Sequence, residues 1–76
     1  MKVVVYTSPT CTYCHIVEIF LKKNNIAFEE IDITKDKKAK EEVFKKTGYS
    51  TIPITLVGKE YVLGWDREKL KKLLGL

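Results

Sequence analysis

The sequence predicts an α/β fold with the element order β-α-β-α-β-β-α, in which a four-stranded mixed sheet is flanked by three helices. Three observations carry this prediction. A run of β-branched residues opens the chain, stretches of helical periodicity alternate with short apolar runs, and only two residues separate the last two apolar runs. A chain of 76 residues has room for one core, so residues 1–76 are expected to form a single domain.

The first half of the chain predicts a strand, a helix and a second strand. The apolar run at residues 2–6 is typical of a strand buried on both faces, and residues 12–24 have the pattern of a helix. Residues 27–33 predict a second strand, parallel to the first because a helix connects them. The inward face of the helix is expected to carry Cys14, Val17, Phe20 or Leu21, and Asn24. Its outward face is expected to carry Cys11, His15, Glu18 and Lys22, with the last two spaced for an ion pair.

A second helix is expected to follow the second strand. Thr34 or Asp36 can cap its N-terminus, because a side-chain oxygen at that position accepts a hydrogen bond from a free backbone N–H. The helix should run to about Thr47 and end at Gly48, where a helix C-terminal glycine belongs. Its apolar stripe comprises Ala39, Val43 and Phe44.

The end of the chain predicts a hairpin and a third helix. Residues 54–57 and 60–63 are two short strands around Gly58 and Lys59, and a two-residue loop that begins with glycine is typical of a β-hairpin. Asp66 is then a good N-cap for the last helix. The buried stripe of that helix comprises Leu70, Leu73 and Leu74.

The charge pattern favours solvated helix faces over a nucleic-acid partner. The net charge is +4, and the basic residues are thirteen lysines and one arginine that alternate with glutamates along helical stretches. A nucleic-acid surface would gather arginine and aromatic side chains, so no nucleic-acid partner is expected. No apolar stretch approaches the roughly 20 residues that span a bilayer, and Met1 and Lys2 run straight into a strand with no secretory signal. We therefore expect a cytoplasmic monomer with no membrane partner.

The two cysteines of the chain, Cys11 and Cys14, are three positions apart, just after a strand and at the start of a helix. The free N–H groups of a helix N-terminus stabilise an anion, so we expect the pKa of Cys11 to lie below the usual ~8.5 of a thiol. Cys14 lies one turn on and points inward, where it can resolve a mixed disulfide formed at Cys11. The α-carbons should be roughly 5–6 Å apart, close enough for a disulfide. A reversible dithiol is therefore the leading hypothesis.

Other interpretations of this motif remain open. Cys11 could be an incidental exposed thiol and Cys14 a small buried hydrophobe. Structural zinc needs four ligands, and His15 is the only histidine, so no metal is expected in one chain. His15 could tune the Cys11 thiolate or simply be solvated. Tyr13 could pack beneath the loop or form a lip for a bound peptide.

Three short segments occur in the order and approximate spacing of a known family. Residues 11–14 (Cys-Thr-Tyr-Cys) resemble a Cys-Pro-Tyr-Cys site, and residues 51–53 (Thr-Ile-Pro) resemble a Thr-Val-Pro segment. Residues 64–66 (Gly-Trp-Asp) resemble a late Gly-Cys-Asp or Gly-Phe-Asp segment. Taken together, residues 2–74 resemble the glutaredoxin branch of the thioredoxin-fold family.

The resemblance implies a thioredoxin-like fold and a dithiol–disulfide oxidoreductase that reduces protein disulfides or mixed disulfides with glutathione. Cys11 would be the nucleophile and Cys14 the resolving thiol. The resemblance implies a cis peptide bond before Pro53, which by itself could simply be a proline at the first residue of a strand. The residues implied to bind substrate or glutathione are Tyr13, Thr51, Ile52, Pro53, Gly64, Trp65 and Asp66. No bound cofactor is implied, and glutathione or a thioredoxin reductase, a flavoprotein, would be the external reductant.

The chain also departs from the family's pattern at three positions. Thr12 replaces the usual proline, Ser8 stands where many members carry a lysine, and Tyr49 stands where an arginine or another polar contact is common. The two cations that meet glutathione carboxylates are therefore missing. Alternatives are a glutathione-dependent iron–sulfur dimer, a redoxin recharged by thioredoxin reductase, and a noncatalytic interaction domain. Residues 64–67 lack the Phe-Arg-Pro run of the redoxin branch.

Overall fold

Seven elements follow one another in a computed structural model that describes residues 2–76. They are β1 (Val3–Thr7), α1 (Thr12–Lys23), β2 (Glu29–Asp32), α2 (Lys37–Thr47), β3 (Ile54–Val57), β4 (Glu60–Leu63) and α3 (Arg67–Leu74). This order is the predicted one. Met1, which was expected to belong to the same domain, lies outside the described residues. Within those residues, no helix is both long enough and apolar enough to cross a membrane.

The four strands form one mixed sheet in the order β2-β1-β3-β4. β1 pairs in parallel with β2, so that Val4 lies opposite Glu29, and α1 is the crossover connection between these strands. The pairs β1–β3 and β3–β4 are antiparallel. The predicted mixed sheet flanked by three helices is confirmed, and β1 and β3 occupy its centre.

Each face of the sheet carries its own hydrophobic cluster. On one face, α1 and α3 pack on the sheet; the hydrophobic cluster there comprises Val3, Val5, Val17, Leu21, Val57, Val62 and Leu70. On the other face, α2 packs through Val43 on residues of β1 and β3; the hydrophobic cluster there comprises Val4, Val43, Ile54 and Leu56. Successive side chains of a strand point to opposite faces, so the unbroken valine run of β1 supplies both clusters.

Two aspartates cap the helices α2 and α3. The Ala39 amide donates to Asp36 Oδ1 at 3.0 Å, and the Lys69 amide donates to Asp66 Oδ1 at 3.1 Å. Asp36 is thus the cap of α2. Thr34 instead donates hydrogen bonds from its hydroxyl and amide to Asp32, and these bonds lower the pKa of the Asp32 carboxyl.

The ends of three elements differ slightly from the prediction. β1 is shifted by one residue, from 2–6 to Val3–Thr7, and β2 is Glu29–Asp32 rather than residues 27–33. Only the four residues of β2 that face β1 have a partner in the ladder, and this pairing sets the length of the strand. α1 ends at Lys23, and Asn24 caps it, donating a side-chain hydrogen bond to the Phe20 carbonyl at 2.9 Å.

Glu18 does not lie on the solvent-facing side of α1, so that prediction was wrong. The residue is only 6% exposed. Residues 14, 17, 18 and 21 form one stripe at the helical period, and the cysteine and two apolar residues of the stripe turn Glu18 inward with them. Among residues 2–76, the ion contact of Glu18 is with His15 Nδ1, at 3.7 Å, rather than with Lys22.

Candidate active site

Cys11 occupies the N-cap position of α1, at the end of the loop that follows β1. Its backbone is extended, with φ −87° and ψ 106°. The Cys11 amide donates a hydrogen bond to the Ser8 carbonyl at 3.2 Å, and the His15 amide donates to the Cys11 carbonyl at 3.4 Å. The residue is thereby fixed on both sides, by the loop before it and by the first turn after it.

The Cys11 sulfur contacts a backbone amide of the first turn of α1. The Cys14 N–H donates to Cys11 Sγ at 3.1 Å, and the two sulfurs are joined in a disulfide with α-carbons 5.3 Å apart. When this bond is reduced, the same amide can donate to a Cys11 thiolate, and the helix dipole adds to that stabilisation. The expected α-carbon separation is confirmed.

The two cysteines differ in exposure. Cys14 is fully buried, whereas Cys11 is partly exposed. Cys14 Sγ lies 3.9 Å from the Tyr6 carbonyl oxygen, which can accept a hydrogen bond from the thiol in the reduced protein. Of the two residues, Cys11 is therefore the one that an external disulfide can approach.

The Thr51–Pro53 segment lies beside the cysteines through the sheet. Tyr6, whose carbonyl faces Cys14, is the register partner of Ile54 in β3, and Pro53 immediately precedes Ile54. The peptide bond before Pro53 is cis, as expected, and Pro53 is buried. Among residues 2–76, the Ile52 amide and carbonyl have no backbone hydrogen-bond partner. They are free to pair with an extended ligand.

The late Gly-Trp-Asp segment is tied to the cis-proline. The Gly64 amide donates to the Pro53 carbonyl at 2.8 Å, which joins residues 51–53 to residues 64–66. The Trp65 ring packs edge-on against Phe20 of α1, with the centroids 5.4 Å apart. One carboxylate oxygen of Asp66 caps α3. The structure thus brings these two segments together at one end of the sheet.

The comparisons with known proteins decide the family. The glutaredoxin family model matches residues 3–62. This chain belongs to the glutaredoxin family. Glutaredoxin 3 of Escherichia coli K12 is 31% identical over 65 residues, which cover 86% of this chain and 78% of that protein. The crystal structure of a glutaredoxin from Archaeoglobus fulgidus superposes with a TM-score of 0.88 at 36% identity, covering 96% of this chain and 85% of that one. A thioredoxin-like protein of known crystal structure superposes with a TM-score of 0.89 at 40% sequence identity. The match covers 95% of this chain and 99% of that one.

Membership of this family, together with the Cys11–Cys14 dithiol, makes the protein a thiol–disulfide oxidoreductase with a thioredoxin-like fold. The structure also shows the positions of two side chains near the cysteines, Tyr13 and His15. Tyr13 is 60% exposed, so it does not pack beneath the loop and is available as a lip of the site. His15 is also exposed and approaches the buried Glu18.

Sequence reasoning missed the burial of Glu18 in this glutaredoxin, although the stripe of residues 14, 17 and 21 could have shown it. Glu18 Oε2 is buried and has no hydrogen-bond partner among the described residues. The side chain lines a cavity of about 200 Å³ that also borders His15, Glu30 and Asp32.

Within residues 2–76, no three His, Cys, Asp or Glu side chains are grouped so as to hold a metal ion.

Proposed function

We propose that this glutaredoxin reduces protein disulfides, and mixed disulfides between proteins and glutathione, through the Cys11/Cys14 dithiol. The observation that supports this most strongly is that Cys11 is partly exposed and its sulfur accepts the Cys14 amide hydrogen bond, whereas Cys14 is fully buried. The first arrangement favours a reactive thiolate. The burial of Cys14 keeps its thiol away from substrates, so that it reacts only with the mixed disulfide at Cys11.

The proposed reaction has two exchanges. The Cys11 thiolate attacks one sulfur of the substrate disulfide, forming a mixed disulfide and releasing the first substrate thiolate, which takes up a proton. Cys14 then loses its proton and attacks the Cys11 sulfur. This step forms the Cys11–Cys14 disulfide present in the structure and releases the second substrate thiolate. Two electrons pass from the dithiol to the substrate, and an external thiol or reductase must return them.

The substrate groove is proposed to lie between the motif and the segments 51–53 and 64–66. The free Ile52 amide and carbonyl would pair with an extended substrate as an added strand does. Tyr13, Thr51 and Pro53 would line the groove beside Cys11. Gly64, Trp65 and Asp66 would close one end of it, where Asp66 has one carboxylate oxygen left over from capping α3 for a ligand amino group.

We leave two reductants within the proposal, glutathione and a thioredoxin reductase. The chain offers Ser8, which is buried, and Tyr49, where the resemblance would place cations for the glutathione carboxylates. Glutathione would then be held mainly by the backbone of Ile52 and by Asp66. We further propose that the protein works in the cytoplasm as a monomer.

The oxidised protein is mixed either with glutathione and glutathione reductase or with thioredoxin reductase. The substrate is 2-hydroxyethyl disulfide or a disulfide-bonded protein, and NADPH consumption measures turnover. Wild type should turn over with at least one system. Cys11→Ser should fall to the uncatalysed background with every substrate. Cys14→Ser should lose protein disulfide reduction and accumulate mixed disulfides visible by mass spectrometry.

The control is Thr10→Ser, a change to an exposed residue of the same loop, which should keep wild-type rates. Full turnover by Cys11→Ser would reject Cys11 as the nucleophile. Normal reduction of protein disulfides by Cys14→Ser would reject the dithiol route.

A further inference from the structure

A groove lies between α1 and α3, and of the residues that line it only Trp65 also belongs to the proposed substrate groove. Its floor is apolar and is formed by Ile16 and Phe20 of α1 together with Trp65, and its volume is about 500 Å³. Ile19, on its margin, is 53% exposed. The edge-on contact between Phe20 and Trp65 holds the floor in one shape. We call this surface the α1–α3 groove.

The rim of the α1–α3 groove is positively charged. Lys23, Arg67 and Lys71 line it, and no carboxylate does. None of these three cations has a salt-bridge partner within residues 2–76, where the ion contacts are Lys2–Glu29 and His15–Glu18. The groove therefore combines an apolar floor with three cations whose charge the chain itself does not neutralise.

The α1–α3 groove lies on the same face of α1 as Tyr13 of the active-site motif. Tyr13, Ile16 and Phe20 are three and seven positions apart on α1, so they share one face of the helix. Tyr13 is exposed and lies within the Cys11–Cys14 motif. From Cys11 to Lys23 the helix rises ~18 Å, a distance that about five residues of an extended peptide cover. A substrate bonded to Cys11 could therefore reach the far end of the groove.

We propose that the α1–α3 groove docks an acidic segment of the disulfide-containing substrate protein. An apolar side chain of that segment lies on the floor, and carboxylates about five residues from the reacting cysteine meet the three cations. Charge selects this occupant, because a second copy of the chain would bring another net +4 to a surface that is already positive. This proposal rests on the proposed function and adds the substrate class.

The experiment uses two peptides that each contain one disulfide and an apolar residue three positions after a cysteine. They differ only at the fifth and sixth positions, where one peptide carries two glutamates and the other two lysines. Single-turnover reduction by the reduced protein is followed by acid quench and chromatography at low salt. An uncharged disulfide, 2-hydroxyethyl disulfide, reports the basal chemistry, and its failure to react would reject the proposed function rather than the docking surface.

Wild type should reduce the acidic peptide about tenfold faster than the basic one, with the difference shrinking as salt is added. A variant carrying Lys23→Glu, Arg67→Glu and Lys71→Glu should lose or invert this preference and keep its rate with 2-hydroxyethyl disulfide. The matched control carries Lys37→Glu, Lys38→Glu and Lys45→Glu, which change the same net charge on exposed positions of α2. It should keep the preference.

A second variant, Ile19→Ser, removes apolar surface without changing the charge and should slow the acidic peptide severalfold while sparing 2-hydroxyethyl disulfide. Equal rates for the two peptides in wild type, or an equal loss of preference in the α2 control, would overturn the proposal. So would a wild type that shows no peptide preference but binds phosphatidylglycerol vesicles through the same three cations, because the surface would then serve an anionic membrane.

Discussion

The sulfur of Cys11 accepts a hydrogen bond from the amide of Cys14, three residues further along. This contact needs only an N-cap cysteine and one helical turn, so it depends on local chain geometry and not on the rest of the fold. That is why the sequence alone could predict the relation between the cysteines and their α-carbon separation. The inward direction of Cys14 could be predicted from the helical stripe that it shares with Val17 and Leu21. The exposure of Tyr13 was harder to predict, because it depends on whether the loop before α1 packs over its ring.

Glu18 shows the limit of residue-by-residue prediction. An ion pair with Lys22 suits an isolated helix, but the helix here packs on a sheet. The burial of Cys14, Val17 and Leu21 turns Glu18 inward, towards a cavity that Glu30 and Asp32 also line. The carboxylate is then drawn out of water with one oxygen unpaired and two other acidic groups nearby. Tertiary packing thus overrides a favourable local pairing.

Replacing Glu18 with methionine should stabilise the protein. The substitution keeps an unbranched side chain of similar length and removes a buried, incompletely paired carboxylate, so we expect the free energy of unfolding to rise by about 1 kcal/mol. Urea unfolding at neutral pH, under oxidising conditions, measures it. Glu41→Met on the exposed surface of α2 is the control and should change stability by less than about 0.5 kcal/mol. A loss of stability in Glu18→Met would mean that the contact with His15 outweighs the burial of the charge.

At the scale of whole elements, the ends of strands were predicted best where the two paired strands are neighbours in the sequence. β3 and β4 begin and end at the predicted residues because the loop of Gly58 and Lys59 leaves no choice of register. β2 was predicted too long because it is an edge strand whose extent depends on its distant neighbour β1. The element order was predictable, but the ends of non-local strands were not.

The C-terminus of α2 offers a test of one such local determinant. Gly48 adopts φ +77° and its amide donates to the Phe44 carbonyl at 2.8 Å. A β-carbon at this position would have no atom within 4 Å, so any cost of a side chain comes from the backbone conformation alone. Gly48→Ala should therefore lower the free energy of unfolding by about 1 kcal/mol.

The matched substitution is Gly48→Asn, because asparagine tolerates a left-handed backbone better than alanine does. It should cost clearly less than Gly48→Ala in the same urea titration. If both variants were as stable as the wild type, Gly48 would not be what ends α2, and the hydrogen bond from Thr47 Oγ1 to the Val43 carbonyl would be the better candidate.

For the molecule as a whole, the sequence predicted a sheet with helices on its faces. It did not predict that the hydrophobic clusters on the two faces differ in size. Among residues 2–76, the hydrophobic cluster between the sheet and the helices α1 and α3 has seven buried members, and the cluster beneath α2 has four. The catalytic motif and the α1–α3 groove both involve α1, which packs on the larger cluster. Cys14 shares the buried stripe of α1 with Val17 and Leu21, which belong to that cluster. Such a difference between faces depends on side-chain packing that no periodicity reports.

The surface charge should also act on the whole molecule. The net charge is +4, and residues 2–76 form only two close ion contacts. The molecule extends 31 × 24 × 18 Å, and the Debye length is ~30 Å in 0.01 M salt, so at that concentration the lysines repel one another across the entire fold. Raising sodium chloride to about 0.1 M shortens the Debye length to ~10 Å and should raise the thermal unfolding midpoint by roughly 2–5 °C.

The variant with Lys23→Glu, Arg67→Glu and Lys71→Glu provides the control for this salt effect, because three reversals leave the net charge slightly negative. Its midpoint in 0.01 M salt should already approach the value that wild type reaches in 0.1 M, and added salt should then change it little. Calorimetry on the oxidised proteins measures both midpoints. If salt stabilised the two proteins equally, the effect would come from ion-specific changes in hydration rather than from repulsion among the lysines.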